Sequence, residues 1–76
     1  MTNRESVIAA HERGEFFGTD YGTAWNLGFD TTGLKEFTVY RGDNFTAMCY
    51  DGTIELLDED GSNPVYDLTT KKWKDE

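Results

Sequence analysis

Phe45-Thr46-Ala47-Met48-Cys49-Tyr50-Asp51-Gly52-Thr53-Ile54-Glu55-Leu56-Leu57 is the stretch whose reading decides the fold. Two apolar-rich arms flank Asp51-Gly52, a dipeptide suited to the positive φ that a type I′ turn requires at both central positions. The spacing predicts strands over 45–50 and 53–57, joined as a tight hairpin. Phe45, Ala47 and Cys49 alternate in the first arm, which makes Cys49 a small core residue.

Upstream, Leu34 to Arg41 sets Lys35, Phe37 and Val39 against Glu36, Thr38 and Tyr40, the period of a strand over 34–41. Gly42-Asp43-Asn44 turns it into the hairpin. Thr23 to Phe29 places Trp25, Leu27 and Phe29 on one side and Ala24, Asn26 and Gly28 on the other, predicting a further strand over 23–29 before the turn Asp30-Thr31-Thr32-Gly33. Glu15 to Gly18 reads as a short strand. Downstream, Asp58 to Pro64 is a polar loop and Val65 to Leu68 a short strand, with Trp73 folding back to extend it. The tail 74–76 is expected to fray.

The first residues follow a different period. Thr2 and Glu5 stand in capping-box spacing, so a helix is expected over 3–13, with Gly14 as its left-handed exit. Val7 and Ile8 form its apolar edge, and so short a helix needs that edge docked. The expected fold class is α+β. Residues 1–76 form a single domain, in which one N-terminal helix packs on an antiparallel, meander-like sheet of about four to five strands.

A chain of 76 residues has room for one small core, here supplied largely by aromatic side chains. Cys49 is the only cysteine, which excludes an internal disulfide and points to a reducing compartment. There is no apolar run of signal-peptide or membrane-span length, so a cytoplasmic location without membrane contact is expected. The 15 acidic and 7 basic residues leave a formal charge of -8. From Gly42 to Thr70 there is no Lys or Arg, while Asp43, Asp51, Glu55, Asp58, Glu59, Asp60 and Asp67 all fall there. Such a surface disfavours direct binding to nucleic acid or anionic lipid and favours a basic partner.

No motif for catalysis or for a cofactor accompanies this charge. Asp58-Glu59-Asp60-Gly61-Ser62-Asn63 fails the calcium-loop template, because Gly61 falls at position 4 and Thr69 at position 12. No metal or cofactor site is expected. His11, the sole histidine, reads as a packing residue on the helix. With no nucleophile, base and stabiliser in a recognisable pattern, the chain is not expected to be an enzyme.

Alternate carboxylates on a strand stand about 6.6 Å apart, near twice the roughly 3.4 Å interval between phosphates along one strand of a duplex. Asp51, Glu55, Asp58, Glu59, Asp60 and Asp67 are therefore the candidate charges of a phosphate-like row. Tyr40 and Tyr66 are the candidate exposed anchors, since interfaces concentrate their energy in such residues.

The opening MTNRESVIAAHERGE, a capped helix running straight into an aromatic-rich acidic sheet, resembles small phage-encoded accessory proteins. The acidic ones among them include anti-restriction and anti-CRISPR inhibitors. The resemblance implies a small, acidic, non-catalytic protein that occupies a basic site on a larger host complex. The chain itself is expected to be a monomer or weak homodimer. The competing expectation is a structural or interaction module of a virion or other assembly, whose sheet edge pairs with another chain. Its acids would then serve solubility alone.

Overall fold

A computed structural model describes residues 2–58 and 63–75. Helix α1 (Asn3–Glu12) is followed by β1 (Phe17–Gly18), a second helix α2 (Tyr21–Asn26), β2 (Thr38–Arg41), β3 (Phe45–Tyr50), β4 (Thr53–Asp58), β5 (Val65–Asp67) and β6 (Lys72–Trp73). The strands form one six-stranded sheet in the order β1-β2-β3-β4-β5-β6, and every neighbouring pair is antiparallel. This is the expected α+β meander with one strand more than the upper expectation, because both outer strands are only two residues long.

The capping box of α1 is present as the spacing predicts. The Glu5 N–H donates to Thr2 Oγ1 at 3.1 Å, and the Thr2 N–H donates to Glu5 Oε1 at 3.3 Å. The Thr2 N–H and the Thr2 hydroxyl, both donating to Glu5 Oε1, hold the Glu5 carboxyl below its ordinary range. Beyond Arg13, the Gly14 N–H reaches the His11 carbonyl and the Glu15 N–H the Ala10 carbonyl, the paired bonds of a Schellman exit.

The hairpin also forms in the predicted register: Tyr50 pairs Thr53 and Cys49 pairs Ile54. Asp51 and Gly52 have φ of 48° and 74°, the left-handed pair of a type I′ turn. A Cβ built on Gly52 meets no atom within 4 Å, so a substitution there acts through the backbone alone. Gly52→Val is accordingly expected to lower stability by about 1–3 kcal/mol, and Gly52→Ala by less, since β-branching makes positive φ hardest to reach. The check is the denaturant midpoint at constant slope. An unchanged midpoint would reject the turn geometry.

Residues 23–29 depart from the strand that their alternation predicts. They form most of α2 and its exit. The Asp20 carboxylate caps the helix by accepting the Thr23 N–H at 2.6 Å. At the far end Gly28 takes φ of 101°, with its N–H on the Trp25 carbonyl and the Phe29 N–H on the Ala24 carbonyl. The cap and the exit override a period-two pattern too short to decide the matter. Residues 34–37 are likewise irregular, and pairing begins only at Thr38. The tail is not frayed through Asp75: the Lys74 N–H donates to the Val65 carbonyl at 2.8 Å. The Arg4 guanidinium also grips both oxygens of Asp75 at 3.0 and 2.7 Å.

The extra helix gives the sheet two covered faces rather than one. On one face Phe45, Ala47, Ile54, Leu56, Tyr66 and Trp73 pack with Val7 of α1, which is fully buried, while Ile8 is only partly so. On the other face Val39 and Met48 pack with Ala24 and Phe29 from the α2 layer. The alternation of β2 and β3 divides these sets, since Val39 pairs Met48 while Tyr40 pairs Ala47.

Candidate functional site

The residues expected to form an acidic row are spread through the hairpin and its neighbours. Asp51 sits at the exposed turn, beside Gly33, Leu34, Lys35 and Glu36 of the loop under α2. Asp58 ends β4 opposite Phe45, while Thr53 begins the strand beside the turn. Five strand intervals separate those two residues, or roughly 17 Å. Glu59 and Asp60 lie outside the described residues.

Glu55 pairs Met48 on one side and Val65 on the other. It is half-buried and accepts the Tyr50 hydroxyl at 3.3 Å. Burial pushes the Tyr50 phenol up, and the Glu55 charge adds to the shift. Asp67 pairs Thr53 and Lys72, and its carboxylate accepts the Thr69 and Thr70 N–H groups at 2.8 and 3.3 Å. The register places Glu55 and Asp67 diagonally on one sheet face. Two candidate acids thus come together, but both carboxylates are held by the fold's own donors.

The candidate tyrosine anchors are not exposed. Tyr66 pairs Ile54 on the α1 face and is only 8% exposed, its ring tilted against Trp73 at 5.1 Å. Tyr40 is half-buried in a row of rings, 5.6 Å from Phe16 and 5.8 Å from Phe45. Both residues fall at strand positions that turn them toward α1, and the apolar packing there takes their rings.

The exposed aromatics are instead Phe17, Tyr21 and Trp25, at 48%, 51% and 67%. Tyr21 and Trp25 are four residues apart on α2 and share a helix face. The Tyr21 hydroxyl donates to the Leu34 carbonyl at 2.6 Å, and its ring lies 5.4 Å from Phe37. Phe17 pairs Val39, which places it on the sheet face that α2 covers. Beside Trp25 opens a cleft of about 580 Å³ lined by Trp25, Gly28, Phe29, Asp30 and Thr32. The Asp30 carboxylate accepts the Thr32 N–H at 3.0 Å, a bond that holds its carboxyl below the ordinary range. The Thr23 N–H does the same for Asp20.

Sequence reasoning missed this face because the strand assignment put Trp25 on one side with Leu27 and Phe29, whereas the helix separates exposed Trp25 from buried Phe29. The signals that locate it are Asp20 at a capping position and Gly28 at the exit, eight residues apart in spacing that brackets a short helix.

The remaining chemistry-bearing side chains are engaged in packing. His11 is half-buried and meets Phe16 edge-on at 5.7 Å. Cys49 is half-buried, and burial pushes its thiol up, away from the thiolate that a nucleophile needs. No group of three or more His, Cys, Asp or Glu among the described residues is placed to hold a metal ion. No described helix is long and apolar enough to cross a membrane.

No family model, curated protein or solved structure matches this chain.

Proposed function

We propose that this chain is a non-catalytic acidic protein that inhibits a nucleic-acid-binding complex by occupying its basic site. This is the mode of action implied by its resemblance to phage-encoded anti-restriction and anti-CRISPR proteins, and it places the protein in the host cytoplasm. The observation that supports it is the location of the charge. None of the described buried residues is polar or charged, so the charged side chains whose burial is described all reach solvent, in a chain of formal charge -8. A field of that sign steers basic surfaces toward the protein and repels free nucleic acid.

The alternative, a structural module that adds its sheet edge to another chain, has less to work with. The outer strands β1 and β6 are two residues each, leaving little unpaired ladder for strand addition.

The test is competition. Immobilised protein is exposed to host lysate, and each retained protein is then bound to a labelled duplex oligonucleotide. The acidic chain should displace the duplex, with an affinity that falls steeply as salt rises from about 0.05 to about 0.5 M, since screening shortens over that range. Association should slow more than dissociation quickens. Retained proteins that do not bind nucleic acid, or that hold duplex and acidic chain together, would overturn the reading.

A further inference from the structure

The aromatic face on α2 has the composition of a contact surface rather than of a solvated helix. Tyr21 and Trp25 are more than half exposed and Phe17 nearly so, whereas large aromatics are the residues that interfaces bury as anchors. From Gly14 to Leu34 the chain carries no Lys, Arg or His, but it carries Glu15, Asp20 and Asp30. The face is therefore aromatic and anionic together. A second copy of the chain is a poor occupant, because it brings another net charge of -8 to the same place.

The molecule itself shows what such a combination binds. At its C-terminal end the Arg4 guanidinium lies 4.7 Å from the centre of the Trp73 ring. Its two terminal nitrogens donate to Asp75 at 3.0 and 2.7 Å. Indole and carboxylate thus take one guanidinium between them, its carbon lying over the ring and its fork meeting the oxygens. The cleft beside Trp25 offers the same two groups, Trp25 and Asp30, and none of the residues lining it is a cation. Asp30 keeps its charge because the Thr32 N–H stabilises the carboxylate.

We infer that the α2 aromatic face is the surface that meets the partner, and that the cleft between Trp25 and Asp30 receives an arginine side chain of that partner. The inference rests on the function proposed above and specifies where its contact lies: on α2, not on the hairpin that carries Asp51 and Glu55. Arginine is favoured over lysine because only the planar guanidinium can stack on the indole while bridging to a carboxylate.

The probe is a fluorescein-labelled hexa-arginine peptide, with hexa-lysine beside it, followed by anisotropy at about 0.15 M ionic strength. Trp25→Ala and Asp30→Asn should each weaken hexa-arginine binding roughly tenfold, the loss expected for a desolvated cation–π or charge-assisted contact. Asn at position 30 retains an acceptor for Thr32, and Trp25 is exposed, so circular dichroism should show both variants folded. Asp43→Asn removes one charge from an exposed turn and should change binding less than about twofold. Equal losses from Asp30→Asn and Asp43→Asn would reduce the effect to net charge and overturn the cleft assignment. Hexa-lysine binding as tight as hexa-arginine would overturn the choice of arginine. A parent protein that sediments as a dimer, and becomes monomeric on Trp25→Ala, would assign the face to self-association and overturn the proposal. If Asp51→Asn with Glu55→Gln abolishes duplex competition while Trp25→Ala leaves it intact, the contact lies on the hairpin. The proposed function then stands without this inference. If no nucleic-acid-binding protein is retained, the proposed function fails, and with it the inference that rests on it.

Discussion

Val7→Asp is expected to leave the protein without a folded state at room temperature. Val7 has no exposed surface and lies in the cluster formed by Phe45, Ala47, Ile54, Leu56, Tyr66 and Trp73. The surrounding set holds no cation and is apolar apart from the Tyr66 hydroxyl and the Trp73 N–H, so burying a carboxylate there costs several kcal/mol, whether as desolvation or as forced protonation. A domain of this length has a total stability of about 4–11 kcal/mol, and that single change removes most of it. The sign of the pH dependence follows. The buried carboxyl would titrate above its unfolded value, so the stability it retains is present below about pH 4 and is lost as pH rises through the folded pKa. The same substitution at Ile8, which is only partly buried, should cost distinctly less. Far-UV and near-UV circular dichroism would report the loss. If Val7→Asp melts within about two degrees of the parent, the docking of α1 on this face is wrong.

Phe29→Ala should cost about 3–5 kcal/mol, the range for removing a fully buried aromatic side chain. Phe29 is 1% exposed and fills the opposite face of the sheet against Ala24, Val39 and Met48. Trp25→Ala provides the contrast, because Trp25 is 67% exposed and should change stability by less than about 0.5 kcal/mol. Were 23–29 a strand, Trp25 and Phe29 would share a face, and the two substitutions would cost similar amounts. Unequal costs therefore test the presence of the second layer directly. Comparable losses from both would restore the strand. Denaturant midpoints at constant slope are the measurement, since a change in slope would signal altered compactness instead.

Local chemistry was sufficient where one element contains all of its own instructions. Thr2 and Glu5 specify the start of α1 through bonds that close within three residues. Asp51-Gly52 specifies the hairpin because few other residue pairs accept positive φ twice, and once that turn forms, the register of β3 on β4 follows. The class, the meander order and the apolar stripe at Val7 were legible for this reason.

The candidate site was legible only in its charge. Composition states how many carboxylates there are but not what holds them, and here Glu55 is occupied by Tyr50 and Asp67 by the amides of Thr69 and Thr70. Tyr40 and Tyr66 alternate on their strands as an exposed pair would, yet the face they turn to is the one that α1 covers. Alternation assigns residues to two sides of a sheet without saying which side faces water.

The sequence by itself determined an acidic α+β meander opened by a capped helix and centred on one tight hairpin, because each of those features depends on contacts within a few residues or on a sum over the whole chain. Only the tertiary structure decided between the alternation of 23–29 and the cap and exit that bracket 21–26, and showed that the sheet is covered on both faces. It also decided that Trp25 rather than Tyr66 meets solvent. Those outcomes depend on which apolar face finds a partner, and a six-residue helix is held by the Val39–Met48 surface beneath it more than by its own propensity.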